Sequence, residues 1–386
     1  MDAVGGLAVT REPASPVGAR VSRRQQAAEL AATKRRLFLL GTGVGIVAPW
    51  ALWASGLSSG LWASLDAFSP WLGVPIQVGV ITLLLATIST PQSFYGGYVV
   101  GHRYGLSTQS VGGWIADWVK STALIVVLTT IAASLFYATI WTVPSYWGLA
   151  FWLEAMAGVI VLTFVAPYVF VPLFFKPKPV EDPGVVLLIE DLVRQTGTTV
   201  AGVSQLDFSR RTQEANAAVI GFGKSRRVVL GDTLLASFTP SEIRAVVAHE
   251  LGHHIHRDVP KLLAVQAAVM AVGLALAAAF GDPLVQLFGA ASLADPAAYP
   301  LLTLGIALYG LLCLPAVNWF ARAVEADADT YAVQLLGDGR PLAAAMRRLA
   351  DQNLAETWPP RWAEILLYTH PPIGRRVERA EAARHG

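Results

Sequence analysis

Long uncharged apolar runs alternate with short polar connections along most of the chain. No Asp, Glu, Lys or Arg occurs from Leu37 to Leu65, Ala67 to His102 or Ser121 to Leu153. The same holds for Leu262 to Gly281 and Pro296 to Ala321. A helix needs about 20 mostly apolar residues to cross a bilayer. The runs therefore predict six spans, at about 37–55, 76–98, 121–143, 151–174, 262–281 and 300–320. The first is no cleavable signal peptide, because a long tail precedes it and no A-x-A site follows its apolar core.

Basic residues orient these spans. The tail before the first holds Arg11, Arg20, Arg23, Arg24, Lys34, Arg35 and Arg36. The positive-inside rule places it in the cytoplasm. Arg103 and Lys120, then Lys176 and Lys178, fall on the same side, as does the chain from Arg322 onward. The connections around Asp66, 144–150 and Asp282 to Asp295 carry no Lys or Arg and fall outside. Both ends are then cytoplasmic.

This divides the chain into an Ala/Arg-rich tail, 1–36, expected to be disordered, and a four-span region, 37–175. A two-span hairpin, 262–321, separates two polar stretches, 176–261 and 322–386. Those stretches lie on one side and are expected to form one cytoplasmic domain. Within it, Pro183 to Gln195 reads as a helix. Runs at 202–208, 215–221 and 226–230, rich in Val and Ile, read as strands. Gly221 to Ser225 joins the last two as a hairpin-like loop.

Composition agrees with a membrane protein. Of 386 residues, 54% are hydrophobic and 15% charged, against about 25% charged in soluble domains. Twelve Trp suit rings at membrane interfaces. A net charge of +2 is too small for a nucleic-acid partner. One cysteine, Cys313, excludes an intramolecular disulfide and a four-cysteine zinc site.

The chemistry sits on one well-marked helix. Thr239-Pro240-Ser241-Glu242 supplies an N-cap, a proline at the first helical position and a capping-box acid. Ile243, Val246, Val247 and Leu251 follow with helical spacing. The helix carries His249-Glu250-Leu251-Gly252-His253, an H-E-x-x-H pattern. Two imidazoles four residues apart share a face and can grip one metal ion. Glu250 sits one step round, where it can take a proton from water at an open coordination position. His254 and His256 extend the cluster and are expected to be solvated surface residues.

A catalytic zinc site needs a third protein ligand. After the last span, Glu325 and Asp329 fall on one helical face. At about 100° per residue, Asp329 lies roughly 40° from Glu325 and Asp327 about 200° away. Glu325 could bind the metal while Asp329 accepts a hydrogen bond from a ligand histidine. Taken alone, an acidic, solvated helix start would explain the same residues.

These motifs resemble the type I CAAX prenyl protease family of membrane zinc endopeptidases, whose smaller relative is HtpX. The resemblance spans roughly 90–380. It includes Pro91 to Tyr95, Tyr98 to Ser107, Ala166 to Phe174 and Asn216 to Leu235. It continues in Arg322 to Asp329 and in His370-Pro371-Pro372 with Arg376. It implies a mainly α, polytopic fold of about six membrane helices with a cytoplasmic α+β, zincin-like metalloprotease domain. It implies one Zn(2+) per chain, held by His249, His253 and Glu325. Glu250 would be the general base, and Asp329 would orient a ligand. His370 and Arg376 would stabilise the oxyanion, and Asn216 would hold the substrate backbone. The strand around Val219 and Ile220 could accept an extended peptide by strand addition. Expected partners are peptide or protein substrates and the lipid bilayer, in the plasma membrane if the chain is bacterial. The best-known members of the family have an extra N-terminal span, and relatives often carry an acid near Gly101, where this chain has glycine. Quality-control cleavage of misfolded membrane proteins is the alternative enzyme reading. A transporter or scaffold is the non-enzymatic one, but Glu154 is the only acid in a span.

Overall fold

The computed structural model describes residues 16–221 and 226–383. In chain order its helices begin with α1 (Pro16–Ala54), α2 (Leu57–Ser64) and α3 (Pro70–Ser93), the last continued by a π-helical segment, Phe94–Val100. Then come α4 (Gly101–Arg103), α5 (Val111–Thr142), α6 (Trp147–Phe174) and α7 (Pro183–Gln195). After a small sheet follow α8 (Asp232–Ser237), α9 (Pro240–Ile255), α10 (Asp258–Leu287) and α11 (Tyr299–Leu336). The chain closes with α12 (Arg340–Gln352), α13 (Arg361–Leu367) and α14 (Ile373–Ala382).

Among the described residues, six helices are long and apolar enough to cross a membrane. They contain nearly all of the six expected spans. Leu39, Val127, Ile131, Val161, Leu276 and Leu312 are exposed. That pattern would be unfavourable in water and suits lipid. Side-chain contacts gather the connections at two ends. At one, Trp53 donates to the Phe288 carbonyl, Ser58 to Ala297 and Trp141 to Ala294. At the other, the connection after α4 pairs with the polar domain, where Thr108 N–H donates to Arg211.

The sheet has four strands in the order β1 (Pro177–Pro179), β2 (Gly202–Leu206), β4 (Arg227–Gly231), β3 (Ala217–Ile220). β2 and β4 are parallel; the two outer pairings are antiparallel. Three strands lie where Val and Ile runs predict them. β1 has no such run, and its two prolines suit only an edge position. The loop expected over 221–225 falls largely outside the described residues. β3 is the other edge. Its core partner is α9, sandwiched with α7 and α12 around fully buried Ile189, Leu192, Leu230, Leu251 and Leu342. Each such side chain contributes about 1.5–3 kcal/mol by leaving water.

The tail departs from expectation. Residues 1–15 lie outside the described part, but α1 already runs from Pro16. Ala, Gln, Glu and Arg are good helix formers. Ala27, Leu30 and Ala31 are also buried, so one face of the helix is packed rather than solvated.

α11 delivers the site. At 1.5 Å per residue its 38 residues reach about 57 Å, far beyond an apolar core about 30 Å thick. The last span and the acidic stretch are therefore one continuous rod. It crosses α9 closely at Gly252, where a Cβ would stand 3.2 Å from the Cα and carbonyl oxygen of Ala328. Glycine at that position lets the two backbones meet. Gly337, with φ 67°, then ends α11.

Candidate metal centre

The cap that starts α9 forms as its sequence requires. Thr239 Oγ1 accepts from the Glu242 N–H, and the Glu242 carboxylate accepts from the Thr239 N–H at 2.8 Å. Arg348 pairs with the same carboxylate at 2.9 Å. α9 then runs unbroken through His249 and His253.

His249, His253 and Glu325 converge. His249 Nε2 lies 3.2 Å from His253 Nε2. Glu325 Oε2 is 3.3 Å from the first nitrogen, and Oε1 is 3.5 Å from the second. Two ligands held at about 2.0–2.1 Å by a tetrahedral ion lie about 3.3 Å apart. Glu325 Oε2 is buried with no hydrogen-bond partner among the described residues. The three groups thus fit one small divalent ion.

Carboxylates stand behind both rings. His249 Nδ1 is 2.9 Å from Asp329 Oδ1, and Asp329 in turn receives two 2.7 Å bonds from Arg376 Nε and Nη2. His253 Nδ1 is 2.9 Å from Asp258 Oδ2, and Lys261 holds the other oxygen at 3.0 Å. Asp327 is exposed, on the side away from the site.

Glu250 follows His249 on α9. Burial pushes its carboxyl pKa up, while the two imidazoles pull it back. His370 Nε2 approaches Glu325 Oε1 to 3.1 Å, and its Nδ1 pairs with Thr369 Oγ1. Arg376 is buried, with Nη2 3.7 Å from Glu325.

β3 borders this cluster. The Asn216 carbonyl accepts from the Gly231 N–H. With the alternation of an antiparallel ladder, that turns the backbone groups of Ala217 and Val219 to the free edge. Asn216 Oδ1 covers the Ala217 N–H at 2.9 Å. Val219 and Ile220 are half-buried.

Four residues here were not foreseen in these positions. Asp258 escapes helical spacing because α9 ends at Ile255 and Arg257 adopts φ 55°. The turn swings Asp258 back under His253. His254 is not a solvated surface residue as expected: its Nε2 donates to the Val219 carbonyl at 3.2 Å, and burial lowers its pKa. His256 packs on Tyr331 instead of facing water. Arg322 donates 2.7 Å bonds to the carbonyls of Glu364 and Tyr368, tying α11 to the segment before His370.

Burial alone would lower the His249 pKa, but the Asp329 and Glu325 carboxylates outweigh it and push it up to about 9. Below that value the metal-free ring carries a proton that an ion must displace. Apparent metal affinity should rise about tenfold per pH unit towards pH 9. Competition titration at pH 6, 7 and 8 checks this; equal affinities would contradict it.

Comparison with known proteins extends the geometry. A family model described as CAAX prenyl protease N-terminal, five membrane helices, matches residues 19–176. Four of the six span helices occupy that stretch here. The chain is 28% identical over 354 residues to an uncharacterized metalloprotease of Bacillus subtilis, YhfN, covering 90% of this chain and 83% of that one. It is 28% identical to the CAAX prenyl protease 1 homolog of Arabidopsis thaliana, covering 83% and 78%. Protease HtpX of Ectopseudomonas mendocina is 28% identical over 53% of this chain. The crystal structure of S. mikatae Ste24p superposes with a TM-score of 0.83 at 21% identity, covering 93% and 89% of the two chains. This last likeness shows the fold. The model described as Peptidase family M48 matches residues 179–384, more than half of the chain and all of the clustered side chains above: this multi-pass membrane protein belongs to peptidase family M48.

Proposed function

We propose that this metallopeptidase is a zinc endopeptidase acting on peptide or protein segments close to the bilayer, with its catalytic domain (176–261 and 322–386) in the cytoplasm. The observation that carries the reading is the 3.2–3.5 Å triangle of His249, His253 and Glu325. All three are chemically suited to Zn(2+). Basic residues on the connections that meet this domain support the cytoplasmic side. Similarity over 83% of the chain to a CAAX prenyl protease homologue, against 53% for HtpX, favours the first kind of enzyme over quality control.

His249, His253 and Glu325 hold the ion, and Asp329 and Asp258 fix the ring orientations. The bound ion supplies Lewis acidity, which lowers the pKa of water and polarises the scissile carbonyl. Glu250 accepts the proton of the attacking water and returns it to the leaving amine. Its raised pKa suits both halves of that task. The substrate lies along β3, where the Ala217 carbonyl and the Val219 N–H remain to pair with an extended peptide. The Asn216 amide and the Ile220 side chain flank that register.

His370 donates to the developing oxyanion. Arg376 acts at one remove: its Nε and Nη2 are turned to Asp329. His370→Ala should lower kcat by roughly 100-fold with little change in KM or zinc content. Arg376→Ala should lower zinc affinity as well, because Asp329 loses its anchor. Matched losses of zinc in the two variants would contradict this division.

Removing the metal tests the whole reading. Prolonged chelation should abolish hydrolysis of a casein-like substrate, and added zinc should restore it. Hydrolysis that survives chelation would overturn it.

A further inference from the structure

We infer that the N-terminal half of α1, before its membrane span, positions His370 through Arg35 and Glu356. This rests on the role of His370 given above.

The His370 side chain is 54% exposed, and its polar contacts are to Glu325 and the adjacent Thr369. Its place depends on the backbone around it. Arg322 grips the Tyr368 carbonyl from the α11 side. The opposite side is held by the connection between α12 and α13. There the Thr357 carbonyl accepts from the Gly374 N–H at 3.1 Å. The Tyr368 hydroxyl makes a long contact, 3.4 Å, with Glu356 Oε2.

That connection is fixed by α1. Arg35 Nη1 meets the same Glu356 oxygen at 2.5 Å, with the two side chains only 17% and 13% exposed. Arg23 Nη1 donates to the Asp351 carbonyl at 2.7 Å. Leu354, buried beside Ala27 and Leu30, has φ 46°. A leucine there is strained, and persists only where its surroundings impose it. The next residue back, Asn353, brackets Ala215: Oδ1 accepts from its N–H at 2.8 Å and Nδ2 donates to its carbonyl at 3.1 Å. Ala215 precedes Asn216. One short connection therefore joins α1 to the His370 segment and to the start of the substrate strand. A shielded ion pair matters here more than a surface one, since removing one partner leaves a charge unpaired away from water.

The test uses the full-length, zinc-loaded enzyme in detergent, with Arg35→Glu, Glu356→Arg, the double reversal and His370→Ala in parallel. A displacement of about 1 Å at a catalytic group can cost about 100-fold. Arg35→Glu should lower kcat roughly 10- to 100-fold, leave zinc content and KM within about twofold, and speed amide exchange over residues 366–370. The double reversal should recover most of the kcat. Glu356→Gln keeps the side chain's shape; if the reversals fail to fold, it should still lower kcat at least about threefold. Wild-type kcat in Arg35→Glu or Glu356→Gln, with His370→Ala inactive, overturns the positioning role and leaves His370 in place. A double reversal as slow as Arg35→Glu overturns it too. Wild-type kcat in His370→Ala overturns the reading of His370 and this inference with it.

Discussion

Glu325→Ala is expected to lose most bound zinc and all activity, while Asp329→Ala weakens zinc and Asp327→Ala changes neither. Three acids crowd five residues of α11, so the variants separate position from charge. Glu325 offers an oxygen to each imidazole nitrogen at 3.3 and 3.5 Å. Among the described residues, Glu325 is the one acid of α11 grouped with the two histidines. Asp329 touches only the far nitrogen of His249 and the Arg376 fork. Its loss should cost roughly 10–100-fold in zinc affinity, as outer carboxylates typically do. Asp327 is exposed. Zinc per mole of detergent-purified protein after dialysis decides the matter. A full site in Glu325→Ala, or an empty one in Asp327→Ala, would contradict the ligand assignment.

Glu250→Gln should keep zinc and lose hydrolysis. The amide fills the same space and lies outside the ligand triangle, but it cannot accept the proton of the attacking water. General bases contribute roughly 10²–10⁴-fold, so residual turnover should be at or below about one per cent. Such a variant should also retain substrate, and the peptides it holds would show what the enzyme cleaves. Wild-type turnover would remove Glu250 from its role.

Local signals made much of the site legible. Thr239 and Glu242 announce α9 because a capping box satisfies orphan N–H groups from residues three apart. Helical spacing alone puts His249 with His253 and Glu325 with Asp329. Asp258 was not legible, since a residue with positive φ intervenes and the spacing rule stops at the helix end. Nor was the commitment of Arg376 to Asp329, 47 residues apart in sequence. The same limit explains the tail. Its composition reads as disordered, but Arg23 and Arg35 find partners 328 and 321 residues away. Composition reports local preference and carries no record of such pairings. His254 shows it again, because only the fold brings β3 over α9.

We propose that one zinc ion, held by His249, His253 and Glu325, makes this membrane protein a peptidase. Titrating zinc into the metal-free, detergent-purified enzyme while following peptide hydrolysis tests it most directly. Activity should rise in proportion to added zinc and level at one equivalent per chain, and Glu250→Gln should bind the same equivalent without hydrolysis. Hydrolysis by the metal-free enzyme, or none at saturating zinc, would contradict the claim.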